Sequence, residues 1–247
     1  MYSKRELDII KENGKFLGEL FNILKDVVKP GISTKEIDEF IERKIKKYKA
    51  IPSFKGYMGY PAVSCISINK ELVHGIPKRN KIVKEGDIVS IDVGIYKNGF
   101  HVDAARTYMI GKVTPEKKRI VEVCESSFYY AIENIKVGDT IGDLGYMIQS
   151  FVEKHGYSVI RDLVGHGVGR NLHEEPQVPN YGIPNTGPVI YDNMVLAIEP
   201  MISAGSYEIK IDPKDGWTVT TIDDSLTAHY ENTVIFTKEG NIIVTKV

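Results

Sequence analysis

Four acids interrupt apolar, strand-like sequence in this 247-residue chain: Asp92, Asp103, Glu199 and Glu231. A histidine, His166, stands in a glycine-rich run. Any one of them alone is ordinarily structural. Together they have the composition of a site for two divalent cations, with hard carboxylates to bridge the ions and one imidazole to supply a nitrogen ligand. Charge counting agrees, since four carboxylates balance two dications. A lone zinc would ask for more histidine or cysteine. The chemistry of such a pair is hydrolytic: a water shared by two cations loses its proton near neutral pH and becomes a nucleophile.

The first two acids lie in the stretch 86–110, GDIVSIDVGIYKNGFHVDAARTYMI. Val89, Ile91, Val93 and Ile95 alternate, and Phe100, Val102, Ala104, Tyr108 and Ile110 continue the period-two pattern after a break. The break holds Asn98-Gly99, the dipeptide that best supplies the two positive φ angles of a type I′ hairpin turn. With those two residues as the loop, Lys97 faces Phe100, Asp92 faces Ala105, and Asp103 shares the face of Ala105. The two carboxylates are then diagonal cross-strand neighbours, roughly 7–8 Å apart at the backbone. Like charges on one inner face are unfavourable unless a cation sits between them. Two ordinary acids on a solvent-facing sheet are the plainer alternative, and the remaining acids and the histidine weigh against it.

Composition narrows the function classes. Charged residues make up 26% of the chain and apolar residues 42%, as in an ordinary globular protein. A formal net charge of −1 gives no electrostatic reason to expect nucleic acid or membrane as a partner. No apolar run approaches the roughly 18 residues of a spanning helix, and the first residues form a charged, helix-like segment without a signal-peptide core. Cys65 and Cys124 lie far apart and outside any CxxC spacing, which disfavours a disulfide framework and fits a reducing cytoplasm.

The elements that must position the acids follow in order. Ser3 with Glu6, and Ser33 with Glu36, are capping boxes opening two amphipathic helices, the first stopped by Pro30-Gly31. The basic stretch 43–49 reads as a solvated helix C-terminus favoured by the macrodipole. The linker 51–61 carries Phe54, Tyr57 and Tyr60, suited to walling an apolar pocket, and leads to a strand at 63–69 and a loop histidine, His74. Thr114-Pro115 opens a third helix, on whose apolar face Cys124 reads as core, and Thr140 caps a fourth. The segment 164–188 reads as a long functional loop. It fits neither the GxGxxG fingerprint nor HExxH, since Gln177 stands where the second histidine is needed. Strands are expected at 194–198, 207–211, 217–220 and 228–236, with a final hairpin through 238–240. Val89-Ser90-Ile91-Asp92 echoes Leu196-Ala197-Ile198-Glu199, each after a His-Gly loop, so the chain reads as two related halves of two helices followed by mostly antiparallel strands.

The runs VHGIP, IDVG, HVDAART, GHGVG, LHEEP, AIEPM, DGWTV and HYENTV, in that order, resemble the type I methionine aminopeptidases. The resemblance covers nearly the whole chain and fills all five ligand positions. It implies an α+β pita-bread fold, a curved, mainly antiparallel sheet flanked by helices in two pseudo-symmetric halves, with residues 1–247 as one catalytic domain of the short bacterial form. By the same resemblance Asp92, Asp103 and Glu231 hold one metal, and His166, Glu199, Asp103 and Glu231 the other, the ions being Mn, Fe, Co or Zn. Glu199 shuttles the proton, His173 hydrogen-bonds the developing oxyanion, and His74 contacts the scissile amide nitrogen. Tyr57, Tyr60, Cys65 and Trp217 line the methionine pocket. Leu172 stands where the family typically has Phe, and Phe54 where many relatives have a small residue or Cys, so pocket shape is the least transferable part.

The implied activity is removal of initiator methionine from nascent chains with a small second residue. The implied partners are Met-initiated N-termini, with the ribosome as a candidate, in the cytoplasm. Proline-specific peptidases share the ligands but resemble chains with a large extra N-terminal domain, and type II methionine aminopeptidases carry an insertion for which Glu199 to Glu231 is too short. A binding module that kept the fold and lost catalysis would be expected to have lost ligands, and none is lost.

Overall fold

The computed structural model describes residues 2–246. Helices α1 (Lys4–Val27) and α2 (Thr34–Lys47) begin with both expected capping boxes, Ser3 with Glu6 and Ser33 with Glu36. Helix α3 (Pro115–Asn134) starts at the Thr114 cap with Pro115 in its first turn. Helix α4 (Ile141–Lys154) adds a capping box to the Thr140 cap, with Asp143 as the returning acid.

One nine-stranded sheet, antiparallel throughout, carries the site. Seven of its strands run, in hydrogen-bonded order, Ile51–Pro52, Ile88–Lys97, Phe100–Met109, Glu231–Phe236, Met194–Ile198, Gly165–Gly167 and Glu174–Val178, while Cys65–Ile68 also pairs with Ile88–Lys97 and Ile242–Ile243 with Glu231–Phe236. The hairpin has the expected register, Lys97 opposite Phe100 and Asp92 opposite Ala105, and Asn98 and Gly99 take φ of 52° and 92°. Val89, Ile91, Val93 and Ile95 are wholly buried, in one core with Leu17, Leu20 and Leu24 of α1 and Ile37, Ile41 and Ile45 of α2. A second core packs Phe128, Leu144 and Ile148 of α3 and α4 on Leu196, Ile198, Val234 and Phe236. Asn13 of α1 donates to the carbonyls of Lys97 and Phe100, so a fully buried amide ties the helix to the tip of the hairpin.

The two halves of the expected repeat meet at the centre of this sheet. The pair of strands that carries Asp92 and Asp103 lies beside the pair that carries Glu231 and Glu199, outer strand matching outer and inner matching inner. Several expectations need correction. Segment 164–188 contributes two sheet strands, so His166 sits on a strand and not in a loop; Gly165 and Gly167 fit there because an added Cβ would meet the Ala197 and Glu175 carbonyl oxygens at 2.5 Å. The expected strand 228–236 is broken at Tyr230. Thr227–His229 pairs with Met201–Ser203 in a separate three-stranded sheet, and Glu231–Phe236 pairs with Met194–Ile198. Both strands change sheets at one level because Pro200 has no N–H to continue a ladder. The strand expected at 63–69 is shorter, Cys65–Ile68, and those expected at 207–211 and 217–220 are Ile209–Ile211 and Val219–Thr221.

Candidate metal centre and substrate pocket

Five neighbouring strands each deliver one candidate ligand. Asp92 pairs with Ala105 and Ala105 with Glu231, so these three stand in a row across the sheet. Asp103, two residues from Ala105, shares their face. Asn232 pairs with Ile198, and the next step of that register brings Glu199 level with Glu231. His166 pairs with Ala197, two residues before Glu199. Ala105 therefore occupies the middle of a row of acids with only a methyl group, which leaves the space between them open.

Backbone anchors hold the row. The Thr233 hydroxyl accepts from the Asp103 amide at 2.9 Å and donates to its carbonyl at 2.8 Å. Asn180 donates to the Glu199 carbonyl at 3.0 Å, and the Arg106 guanidinium donates to the Glu231 carbonyl. Gly94 faces Asp103 across the hairpin, and a Cβ there would lie 2.8 Å from the Phe54 ring, 3.0 Å from Ser53 Cβ and 3.3 Å from Asp103 Oδ1. Gly94→Ala is expected to destabilise the protein by about 1–3 kcal/mol, the usual cost of overpacking; a denaturation midpoint equal to wild type would contradict this close approach.

The electrostatics favour cations. Burial, and after it the charges of the other acids, push the carboxyls of Asp92, Glu199 and Glu231 well above the usual carboxylate range, and burial raises Asp103 to about 7. Among the described residues, Asp92 Oδ1, Asp103 Oδ1 and Glu231 Oε1 are buried without a hydrogen-bond partner. Buried oxygens are ordinarily satisfied, and a shared dication would satisfy all three. His166 has the matching tautomer. Its Nδ1 lies 2.8 Å from the Gly167 carbonyl, which only accepts, so Nδ1 carries the proton and Nε2 keeps its lone pair, 3.6 Å from Glu199 Oε1. Ligand atoms of Asp103, His166 and Glu231 lie within 4.8 Å of one another. The donor set fits divalent ions.

These acids form one wall of a cavity of about 540 Å³ that also takes in Tyr57, Tyr60, Cys65, His74, Leu172, His173 and Trp217. All the residues expected at the site thus face one space. Phe54, Tyr60, Cys65 and Leu172 form a small apolar cluster of their own, with Trp217 packed edge-on to Tyr60 at 5.1 Å. Tyr60 donates to the carbonyls of Ser64 and Gly75, at 3.0 and 3.2 Å, which fixes its ring. His74 holds a left-handed backbone, φ 58°, a strained conformation of the kind that gathers at functional sites. Burial lowers its pKa to about 4. His173 bonds the Tyr57 hydroxyl at 2.7 Å through Nδ1, at the exposed side of the cavity. Its loop is held by Glu174, which accepts from the Asn171 amide at 2.8 Å and from the Tyr2 hydroxyl at 2.9 Å.

Sequence reasoning passed over several of these groups. Asn180 acts through a backbone carbonyl, for which the chain carries no motif, whereas Arg106 and Thr233 stand inside the runs HVDAART and HYENTV without a residue type that marks their role. His229, buried against Glu199 and Glu231, did carry a signal, since it stands two residues before Glu231 in HYENTV.

Comparison with known proteins agrees with this geometry. Residues 8–238 match the model of metallopeptidase family M24. A methionine aminopeptidase from Clostridium acetobutylicum is 48% identical over 240 residues, covering 97% of this chain and 96% of the relative. The crystal structure of methionine aminopeptidase from Thermotoga maritima superposes with a TM-score of 0.97 at 43% identity, covering 100% of this chain and 98% of that one. A prolidase from Pyrococcus horikoshii shares the fold alone, with a TM-score of 0.80 at 24% identity; this chain covers 63% of it. The chain belongs to metallopeptidase family M24 and, within it, to the methionine aminopeptidases.

Proposed function

We propose that the whole chain works as one catalytic domain that hydrolyses the first peptide bond of chains beginning with methionine and followed by a small residue, using two divalent ions held by Asp92, Asp103, His166, Glu199 and Glu231. The observation that carries this is the joining, in one cavity, of a row of unsatisfied buried acids to an apolar aromatic pocket. The pocket suits an unbranched, polarisable thioether. Bound there, the ions would supply a nucleophilic hydroxide near neutral pH, polarise the scissile carbonyl and take the free α-amine.

The chain's own groups do the rest. Glu199 takes the water proton and returns it to the leaving amine. His173, hydrogen-bonded to Tyr57 and so fixed in orientation, donates to the carbonyl oxygen as negative charge develops there. His74, neutral at pH 7, contacts the scissile amide nitrogen. The same Tyr57–His173 pair narrows the exposed side of the cavity, which disfavours a bulky second residue. Among the described residues no helix is long and apolar enough to cross a membrane, and cytoplasmic nascent chains emerging from the ribosome are the proposed substrates.

The test is incubation of the protein, loaded in turn with Mn, Fe, Co and Zn, with Met-Ala-Ser and with its N-acetylated form. Methionine is expected from the free peptide alone. Release from both, or from neither with any of these metals, would overturn the reading.

A further inference from the structure

We propose that His229 is a sixth protein ligand of the centre, its imidazole joining Glu199 and Glu231 to hold a divalent cation. It ends the strand Thr227–His229, one residue before the break at Tyr230, and is 1% exposed. Neither of its ring nitrogens has a hydrogen-bond partner among the described residues. A histidine serving only the core would be expected to bond at least one of them. Its Nε2 lies 3.5 Å from Glu199 Oε2 and 4.0 Å from Glu231 Oε2.

Those separations decide between two roles. A hydrogen bond from nitrogen to oxygen spans roughly 2.7–3.2 Å, so both gaps are too long for one. Two donors each bonded to an ion at about 2.0–2.2 Å stand roughly 3–4 Å apart, and both gaps fit. The gap from His166 Nε2 to Glu199 Oε1, 3.6 Å, has the same size. Each oxygen of Glu199 therefore faces one imidazole at matched distance. The donors that come within 4.8 Å of one another fall into two groups, Asp103–His166–Glu231 and Glu199–His229–Glu231, which share Glu231 and hold one histidine each.

The consequence is a centre with two imidazoles among its donors. Nitrogen ligands favour Fe, Co, Ni and Zn over Mn and Mg, so His229 tilts metal choice toward the first group. This rests on the reading that the site holds divalent ions, and the experiment separates the two.

The native protein, loaded with two equivalents of zinc, is measured by X-ray absorption to count imidazole ligands. One imidazole per zinc is expected. Half that number would overturn the role of His229 and leave the divalent centre standing, whereas a native protein that binds no divalent ion would overturn both. In parallel, His229→Gln is titrated with zinc and with cobalt. Affinity at one of the two positions is expected to fall about 10-fold or more, the scale on which loss of a supporting group acts, with a changed cobalt visible spectrum. Unchanged affinity and an unchanged spectrum would overturn the proposal. The zinc measurement on native protein decides the matter even where the variant does not fold.

Discussion

Glu199→Ala is expected to lower kcat/KM by at least about 10³-fold on the proposed mechanism, because loss of a general acid and base alone costs roughly 10²–10⁴ and the same change would remove a carboxylate from the proposed metal centre. The fold is expected to survive. Glu199 follows the strand Met194–Ile198, its side chain faces the cavity, and the backbone bond from Asn180 to its carbonyl remains. Removing one of four mutually repelling buried acids also relieves repulsion, so the melting temperature without metal should equal or exceed that of wild type. The measurements are steady-state kinetics at saturating metal and a thermal melt in chelator. Activity within tenfold of wild type would remove Glu199 from the mechanism, and a collapsed melt would show it to be structural.

Much of the site could be read from the sequence because its geometry is local. Asn98-Gly99 fixes the hairpin turn, the turn fixes the register, and the register places Asp92 opposite Ala105 with Asp103 on the same face. The echo between residues 89–92 and 196–199 likewise located two outer strands that flank the central pair. Capping boxes worked for the same reason, as their hydrogen bonds span three residues.

What sequence missed depends on pairing across long separations. The short strands that carry His166 and follow His173 are held by partners such as Ala197 and Gln177 and by the tight fit of Gly165 and Gly167, none of which shows as hydrophobic alternation. The break at Tyr230 follows from the partner strand reaching Pro200, more than 25 residues away in the chain. Thr233 resembles any strand threonine until its hydroxyl is seen bridging the amide and carbonyl of Asp103. In each case the deciding interaction is made by or to backbone, so side-chain patterning carries no trace of it.

Removing metal should make stability fall as pH rises from 6.5 to 8. Burial raises Asp103 from 3.8 to about 7, and Asp92, Glu199 and Glu231 shift in the same direction. Between the unfolded and folded values the folded, metal-free chain binds more protons than the unfolded one. Its stability is therefore present at low pH and lost as pH rises through the folded value. The buried His74, His166 and His229, lowered to about 4, 4 and 3, act the other way, and because each unfolded imidazole is still half protonated at pH 6.5, each regains about 0.4 kcal/mol between there and pH 8. From pH 6.5 to 8 Asp103 loses about 1 kcal/mol, which the histidines roughly cancel, so the net fall rests on Asp92, Glu199 and Glu231, whose carboxyls are raised well above the usual range. In EDTA the melting temperature should fall across this interval. With saturating divalent metal the fall should vanish, because cations replace protons as the countercharge. A chelated protein whose melting temperature stays level or rises from pH 6.5 to 8 would mean that the four acids are not a mutually repelling buried cluster, and with that the case for a cation between them would lose its physical basis.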